Sequence, residues 1–521
     1  MNLLRARDVT ALDAAAEAAG LGPDLLMGRA GRAVAATALR LQPQATRVVV
    51  LTGPGNNGGD GYVAAAELVR RGLTVGLLEM TAEPRAETAR HARAALLELA
   101  PEVPRPAALA PDDAEAAALL EGADLVIDAL LGAGRSRPVG PELSELFERV
   151  RASGVPILAV DVPSGLDADR ATVDGDVLTA TWTLQLSAAK PASMLPPARD
   201  RYGAWWVDDL GLPADLVARH AVADAIGRTR AGRALPRRRS DAHKYRAGAV
   251  LVVGGSPRYA GAAELAARAA LRAGAGYVTL AARQRHPQSW PELVALDGDP
   301  GDGGVLARAK ADVAVVGPGL EADAGVLRAV LGAWGARPLV LDGGALQPEA
   351  WPSAPADAIR VLTPHAAEAG ALLNRPAHEV ARDPLAAAAD LAHATGAWVV
   401  LKGPATVVAE PGGRMRLVAG GPAALAVAGT GDVLAGAIGA LWAAQLADPR
   451  AQATVSDPSR AAGDLLELLA AAVVLHAEAA RIALARLADG DAVPSGGLIA
   501  SDVVAALPAA RGRLEADHQR S

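Results

Sequence analysis

Nine residues near the start of the chain, Gly53-Pro54-Gly55-Asn56-Asn57-Gly58-Gly59-Asp60-Gly61, separate a Val-rich run, RVVVLT, from a helical pattern, YVAAAELVRR. A glycine-rich strand-to-helix turn lets the backbone approach a phosphate and aims free helix N–H groups at it. The spacing is not G-x-G-x-x-G and no Lys-Ser/Thr follows, so neither usual nucleotide fingerprint applies. Asn56, Asn57 and Asp60 add hard oxygen ligands suited to an alkali or alkaline-earth cation. A Gly/Asn turn needing positive φ would account for two or three of these residues, but hardly for the whole run. Two more apolar runs end in acids: VIDALLGAGRSRP carries Asp128, and ILAVDVPSGLDAD carries Asp161 ahead of Pro163-Ser164-Gly165. One strand-end Asp is commonly a cap or turn former. Three strand ends that all deliver polar groups describe a site, because open parallel sheets bind ligands beyond the carboxyl ends of their strands.

A second constellation lies near the other end, where Ala428-Gly429-Thr430-Gly431-Asp432 opens the apolar helix VLAGAIGALWAAQLA. Glycines and free helix N–H groups make an anion hole with Asp432 at its lip. An aspartate there can take a proton from a substrate hydroxyl while the amides stabilise charge on a transferring phosphoryl group. The alternative is an aspartate that only caps its helix.

The elements that must position these groups alternate along the whole chain, short Val/Leu runs with Ala/Leu/Arg/Glu helical stretches, which implies βαβ units and parallel strands covered on both faces. The expected strands are Arg47–Thr52, Thr74–Leu78, Asp124–Ala129, Pro156–Val162, Leu178–Leu186 and Trp205–Asp208, then Ala249–Val253, Tyr277–Ala281, Asp312–Val316, Pro338–Leu341, Ala397–Leu401 and Ala405–Ala409. At roughly 100–200 residues per domain, 521 residues make two to four. Hydrophobic periodicity lapses in an arginine-rich stretch that includes Arg237-Arg238-Arg239, read as a solvated linker, and again over Asp448–Asp464, read as a surface insertion. The expected division is a first domain 1–215, a linker 216–240, a second domain 241–510 and a polar tail 511–521. Two doubly wound α/β domains are expected, a Rossmann-like three-layer sandwich and then a kinase-like one. A net charge of −7 argues against a nucleic-acid binder. With no cysteine, disulfides, thiolate metal sites and a thiol nucleophile are excluded, which fits a reducing cytoplasm. The opening, MNLLRARDVTALDAAAEAAG, is amphipathic and acidic early, unlike a secretory signal. The Gly/Ala-rich run Ala428–Ala447 is long enough to span a membrane but reads better as a buried helix.

The runs G-N-N-G-G-D-G, V-I-D-A-L-L-G and A-V-D-V-P-S-G-L-D-A-D resemble the NAD(P)H-hydrate epimerase domain over roughly the first 215 residues. The resemblance implies that Asn56, Asn57, Gly58, Gly59 and Asp60, with Gly132, Ala133, Gly134, Arg135, Ser136, Arg137 and Pro138, line a cofactor-hydrate site, with Asp161 against the reacting ring. It also implies potassium held by Asn57, Asp128 and a group at Ser164. Lys190 matches a family position and is read as one half of a structural ion pair. From His243 onward HKYRAGAVLVVGGSPRYAGAAELAARAALRAGAGYV, VVGPGL, LTPHAAEA, LKGPATVV, LHAEAA and GLIASDVVAALP follow in an order that resembles the ADP-dependent NAD(P)H-hydrate dehydratase, a ribokinase-like fold, across about Ser240–Pro508. That resemblance implies Ala262, Gly319, His365 and Asp432 against the hydrate, Lys402, Gly403, Pro404, Ala405, Thr406 and Gly431 around the adenine nucleotide, and magnesium on its phosphates. The chain departs from the family pattern at Asp342-Gly343-Gly344, where Asp-Ala-Asp is usual, at Pro422-Ala423-Ala424-Leu425 in place of Asn-Pro-Gly-Met, and at Ala366-Ala367 before Glu368.

The implied function is repair of hydrated nicotinamide cofactor: epimerisation of the R and S hydrates, then ADP-dependent dehydration of the S form. The expected partners are NADH hydrate, NADPH hydrate and ADP, with further copies of the chain and with neither nucleic acid nor membrane. Two rivals remain open: a vitamin or sugar kinase with a nucleotide-binding appendage, and a binding or scaffolding module in place of the epimerase.

Overall fold

The computed structural model describes residues 1–521 except 109–113, 135–136, 239, 242, 283–285, 287–288, 297–298, 300, 307, 354, 356, 449–457, 489–494 and 521. The chain forms two compact units, Met1–Asp224 and Ala225–Ser521. Seventeen strands are numbered in chain order. Those of the first unit are β1 (Asn2–Leu3), β2 (Arg47–Thr52), β3 (Thr74–Glu79), β4 (Leu125–Ala129), β5 (Ile157–Val160), β6 (Trp182–Leu186) and β7 (Ala204–Asp208). After them come β8 (Ala223–Ala225), β9 (Ala249–Gly254), β10 (Tyr277–Ala282), β11 (Val294–Ala295), β12 (Val313–Val316), β13 (Leu339–Leu341), β14 (Arg360–Leu362), β15 (Trp398–Leu401), β16 (Thr406–Ala409) and β17 (Met415–Val418).

The first unit has a six-stranded sheet in the order β3-β2-β4-β5-β6-β7, parallel throughout. Successive residues of a strand face opposite ways. Val48 and Val50 therefore enter the core that holds Tyr62, Leu68 and Val34, while Val49 and Leu51 enter the one that holds Leu146 and Phe147. Burial on both faces explains why these strands read as unbroken apolar runs. The order reverses at β2, so the crevice between the ends of β2 and β4 is the switch point where a ligand is expected.

In the second unit the strand order is β17-β16-β15-β14-β13-β12-β9-β10-β11, reversing at β9. Val250 and Val252 face one core, Leu251 and Val253 the other. The strands from β11 through β15 are parallel to their neighbours, but β15–β16 and β16–β17 are antiparallel. This corrects the all-parallel expectation. The physical reason is length: Lys402–Ala405 is too short for the crossover of a dozen or so residues that a parallel return needs, and only a hairpin fits.

Other expectations change as well. Residues 216–240 carry helices Ala214–His220 and Arg228–Ala234 rather than bare linker, and the expected tail 511–521 continues the helix Ala500–Arg520. At seven residues each, about two turns, the first two helices are too short to show a helical period against the surrounding arginines. Arg238 donates to the Gly274 carbonyl at 3.0 Å, and Arg239 lies outside the described residues. Of the expected insertion Asp448–Asp464, residues 449–457 also lie outside them, and the rest enters the helix Pro458–Leu487. Among the described residues one helix, Asp464–Leu487, is long and apolar enough to cross a membrane, and 89% of its apolar window is buried inside the protein. The run Ala428–Ala447 is also packed in the core, as the helix Thr430–Leu446.

Candidate functional sites at the strand ends

In the first unit the helix Asn56–Arg70 begins inside the glycine-rich run, with Gly55 as its N-cap, so the turn is only Gly53–Gly55 and Asn56–Gly61 are helical rather than turn residues. Gly53 is required there: a Cβ would lie 1.7 Å from the Leu130 carbonyl oxygen, so the β2 and β4 ends meet backbone to backbone. A cleft of about 1030 Å³ opens at these ends, lined by Asn56, Asn57, Asp60, Gly132, Ala133, Gly134, Arg137, Asp161 and Lys190, among others. Gly58 and Gly59 are instead buried in the helix face, and Pro138 is exposed farther along its loop. Arg135 and Ser136 lie outside the described residues.

Asp161 follows β5 with φ of 66°, a left-handed conformation costly for a residue with a Cβ and common where function fixes it. Its Oδ1 accepts from the Leu186 N–H at 3.1 Å and from the Lys190 ammonium. Lys190 is 1% exposed and also donates to the Leu186 carbonyl at 2.7 Å and the Ala188 carbonyl at 3.1 Å. The ion pair read from the sequence thus forms, and it faces the cleft. Asp60 is buried and its carboxyl is pushed well above the usual range, first by burial, then by the negative charges of Asp161 and Asp13.

Asp128 lies beneath this cleft, fully buried. Its Oδ1 accepts from Ser164 Oγ at 2.6 Å and its Oδ2 from the Ser164 N–H at 2.8 Å. Burial lifts its pKa to about 6 against the lowering effect of these bonds. The Asn57 side-chain nitrogen is buried with no partner. Among the described residues no three acidic or histidine side chains group as a metal site. Asp128, Ser164 Oγ and the Asn57 amide oxygen are nevertheless the kind of oxygen donors an alkali cation takes, whereas the orphaned Asn57 nitrogen is a hydrogen-bond donor and no ligand.

In the second unit the polar groups again stand at strand ends. Lys402, after β15, donates to Asp342 Oδ1 at 2.7 Å, and Thr363 Oγ donates to the same oxygen at 2.7 Å. Lys402 also bridges to His365 through the backbone. Gly431 lies against it, since a Cβ there would be 3.2 Å from Lys402 Nζ. Gly429, at φ of 92°, makes the left-handed turn that starts helix Thr430–Leu446 and leaves its first N–H groups free. Asp432 sits in its first turn with a pKa raised to about 7, by burial, then by Asp342 and Glu368, against the lowering effect of Lys402. Ala262 and Gly319 are brought together, a Cβ on Gly319 lying 2.9 Å from that of Ala262. Leu265, one turn beyond Ala262, packs on Gly429. Gly403 and Pro404 are exposed in the β15–β16 hairpin, whereas Ala405 and Thr406 are buried. His365 caps the helix Ala366–Leu373, its Nδ1 accepting from the Ala367 and Glu368 N–H groups at 3.2 Å, while its Nε2 stands 3.6 Å from Glu368 Oε1.

Sequence reasoning passed over four groups. Asp342 ends β13 in the same way that Asp128 and Asp161 end theirs, so the same rule would have found it. Glu368 and Asp13 act from helices, where an acid looks like surface charge. His476, inside the LHAEAA run, is buried against Thr430 with a pKa lowered to about 4 by burial, so it is neutral, and its Nε2 has no partner.

The NAD(P)H-hydrate dehydratase family matches residues 250–492, and the family described as YjeF-related protein N-terminus matches 23–192. A bifunctional NAD(P)H-hydrate repair enzyme from Escherichia coli (strain K12) is 34% identical over 469 residues, 87% of this chain and 87% of the relative. One from Gloeobacter violaceus is 37% identical over 475 residues, 85% of this chain and 89% of its own. Among solved structures, an ADP/ATP-dependent NAD(P)H-hydrate dehydratase from Bacillus subtilis, co-crystallized with ATP/Mg2+, is 27% identical with a TM-score of 0.46, covering 56% of this chain and 99% of that one. With both halves matched in order and most of each relative spanned, the chain belongs to the family of bifunctional NAD(P)H-hydrate repair enzymes.

Proposed function

We propose that the first unit interconverts the R and S hydrates of NADH and NADPH, and that the second dehydrates the S form to NADH or NADPH at the expense of ADP through a phosphorylated intermediate. The observation that carries this reading is Asp432 at a helix N-terminus, beside a lysine held by a second aspartate.

In the first cleft Asn56, Asn57 and Asp60 with Gly132, Ala133 and Gly134 hold the nucleotide, helped by Arg85 and Arg137, cations on the cleft wall that suit a diphosphate, while Gly58 and Gly59 let their helix pack close behind. The hydrate carries its hydroxyl at C6, next to the ring nitrogen. The nitrogen lone pair expels it, leaving a planar cation that water can meet on either face, and Asp161 handles the proton. Potassium, held by Asn57, Asp128 and Ser164, would supply positive charge beneath the turn and keep Asp128 ionised.

In the second unit Lys402 to Thr406 and Gly431 hold ADP, and Ala262, Gly319, His365 and Asp432 face the hydrate. Asp432, with a pKa of about 7, is matched to taking the ring hydroxyl's proton near neutral pH. The helix amides and Lys402 receive the charge on the incoming phosphoryl group. The phosphorylated oxygen then leaves as the ring nitrogen pushes. Magnesium, arriving with the nucleotide, would supply positive charge to its phosphates. The absence of cysteine suits the cytoplasm, where we place the enzyme.

The test supplies R and S NADH hydrate separately with ADP and magnesium and follows the returning nicotinamide absorbance. Asp432→Ala should abolish recovery of NADH while leaving R and S interconverting, and Asp161→Asn should do the reverse. Phosphorylation of a simple alcohol with no NADH restored would establish the kinase reading instead.

A further inference from the structure

Inversion at C6 sets a demand that one carboxylate cannot meet. The hydroxyl leaves from one face of the ring and water adds to the other, so each face needs a group that gives a proton in one direction and takes it in the other. Asp161, locked by Lys190 and the Leu186 N–H, can serve one face only.

A second carboxylate lines the same cleft. Asp13 belongs to the helix Ala6–Ala18, which Leu12 and Ala16 anchor in the core at 0% exposure. The helix is tied over the strand ends that carry Asp161: Ala6 N–H donates to Asp169 after β5 at 2.9 Å, and Leu4 N–H to the Ala189 carbonyl after β6 at 2.9 Å. Asp13 is exposed into the cleft, has no hydrogen bond or ion pair among the described residues, and stands within the fields of Lys190, Asp161 and Asp60. Though its edge is exposed, its carboxyl is partly enclosed by the cleft, and that enclosure pushes its pKa up, with Lys190 lowering and Asp161 raising it, so it keeps a proton more readily than a surface aspartate. Asp60, the other carboxyl near it, is buried in the first turns of the helix Asn56–Arg70 and belongs to the nucleotide-holding group.

We propose that Asp13 is the second acid–base residue of the epimerisation, acting on the ring face opposite Asp161. This rests on the epimerase reading of the first unit. In one direction the C6–O bond breaks as the Asp13 carboxyl gives its proton to the departing oxygen, which leaves as water, and the N1 lone pair forms the C6=N1 bond. Water then adds at the Asp161 face, its proton passes to the Asp161 carboxylate, and the pair returns to N1. The reverse turnover exchanges the two roles.

The experiment uses the full chain with each purified NADH hydrate epimer in 18O-water, reading label and configuration by chromatography and mass spectrometry. Asp13→Asn should lower inversion by about 100-fold or more, while one epimer still takes up label with its configuration kept. Asp161→Asn should leave the opposite epimer in that state. Asp13→Glu should retain inversion and, by melting with the wild type, show that the position tolerates change. Wild-type inversion rates in Asp13→Asn, or loss of exchange from the same epimer in both variants, would overturn the assignment. A wild-type chain that inverts neither epimer would instead remove the epimerase reading on which it rests.

Discussion

Asp432→Asn should stabilise the second unit at alkaline pH and leave it nearly unchanged in acid. The Asp432 carboxyl is raised from the usual 3.8 to about 7, chiefly because burial disfavours its charged form. A raised acid contributes fully below the unfolded pKa, and stability falls as pH climbs from there to the folded pKa. Linkage places the cost at about 1.7 kcal/mol at pH 5 and about 4 kcal/mol at pH 8. Asparagine keeps the shape and cannot ionise, so the variant should gain about 2.5 kcal/mol more at pH 8 than at pH 5. For a unit of this size that is about 4 °C in the calorimetric transition. The assay is scanning calorimetry of both proteins at the two pH values, with the first unit's transition as internal control. Parallel shifts at pH 5 and pH 8 would refute the claim that a buried charge is held at the helix mouth against stability, a trade typical of working sites.

Lys402→Met removes the cation that lowers the Asp432 pKa, so the rising limb of dehydratase activity should move to higher pH and the KM for ADP should rise about tenfold, the 1.4 kcal/mol or more that a charged hydrogen bond is worth. A pH profile coincident with the wild type would count against their coupling. Ser164→Ala deletes the 2.6 Å bond that lowers the Asp128 pKa, so that pKa should climb above about 6 and urea unfolding should show a loss of about 1–3 kcal/mol. Unchanged stability would mean that water replaces the hydroxyl. Gly344→Ala places a Cβ 2.0 Å from the Leu320 carbonyl oxygen and should lower the melting temperature of the second unit, and a variant melting with the wild type would show that the loop relaxes freely.

Gly344 also shows what the sequence could and could not say. The departure from Asp-Ala-Asp reads as a missing carboxylate, but only the backbone shows that no side chain fits there. Val-rich runs buried on both faces announced most strands, since an unbroken β-branched run between turn residues reads as a strand even without alternation. β14 and β11 are too short to show a period, and β17 was legible only once β16 was known to run backwards. Asp128, Asp161 and Asp432 were visible because each ends a strand or opens a helix, where position carries the argument. Asp13 and Glu368 were not, because a helical acid gains meaning only from the helix face it occupies, and that depends on contacts made far away in the chain. The sequence also could not show that His365 caps a helix with one nitrogen and holds the other 3.6 Å from Glu368 Oε1.

The two units, unrelated in chain order and strand arrangement, meet the same electrostatic problem in the same way. Each has one lysine at its strand ends, and each lysine is bound to an aspartate rather than left for the ligand: Lys190 to Asp161, and Lys402 to Asp342. Such pairing is rigid, because a buried ammonium must be satisfied before ligand arrives. It also means that other acids, Asp60 in one cleft and Asp432 in the other, have no dedicated cation and are held toward the protonated form by burial and by neighbouring charge. A negatively charged nucleotide entering such a cleft is repelled by fewer charges than a count of carboxylates suggests, and the helix amides can bind its phosphates. In the second cleft the raised acid, Asp432, is the group proposed to take the substrate's proton, whereas in the first Asp60 only reduces the negative charge a nucleotide meets. Pairing the lysine and leaving the acid unpaired therefore prepares each site for an anionic nucleotide, and the second for proton transfer beside a phosphate, without requiring the two sites to share any ancestry in their folds.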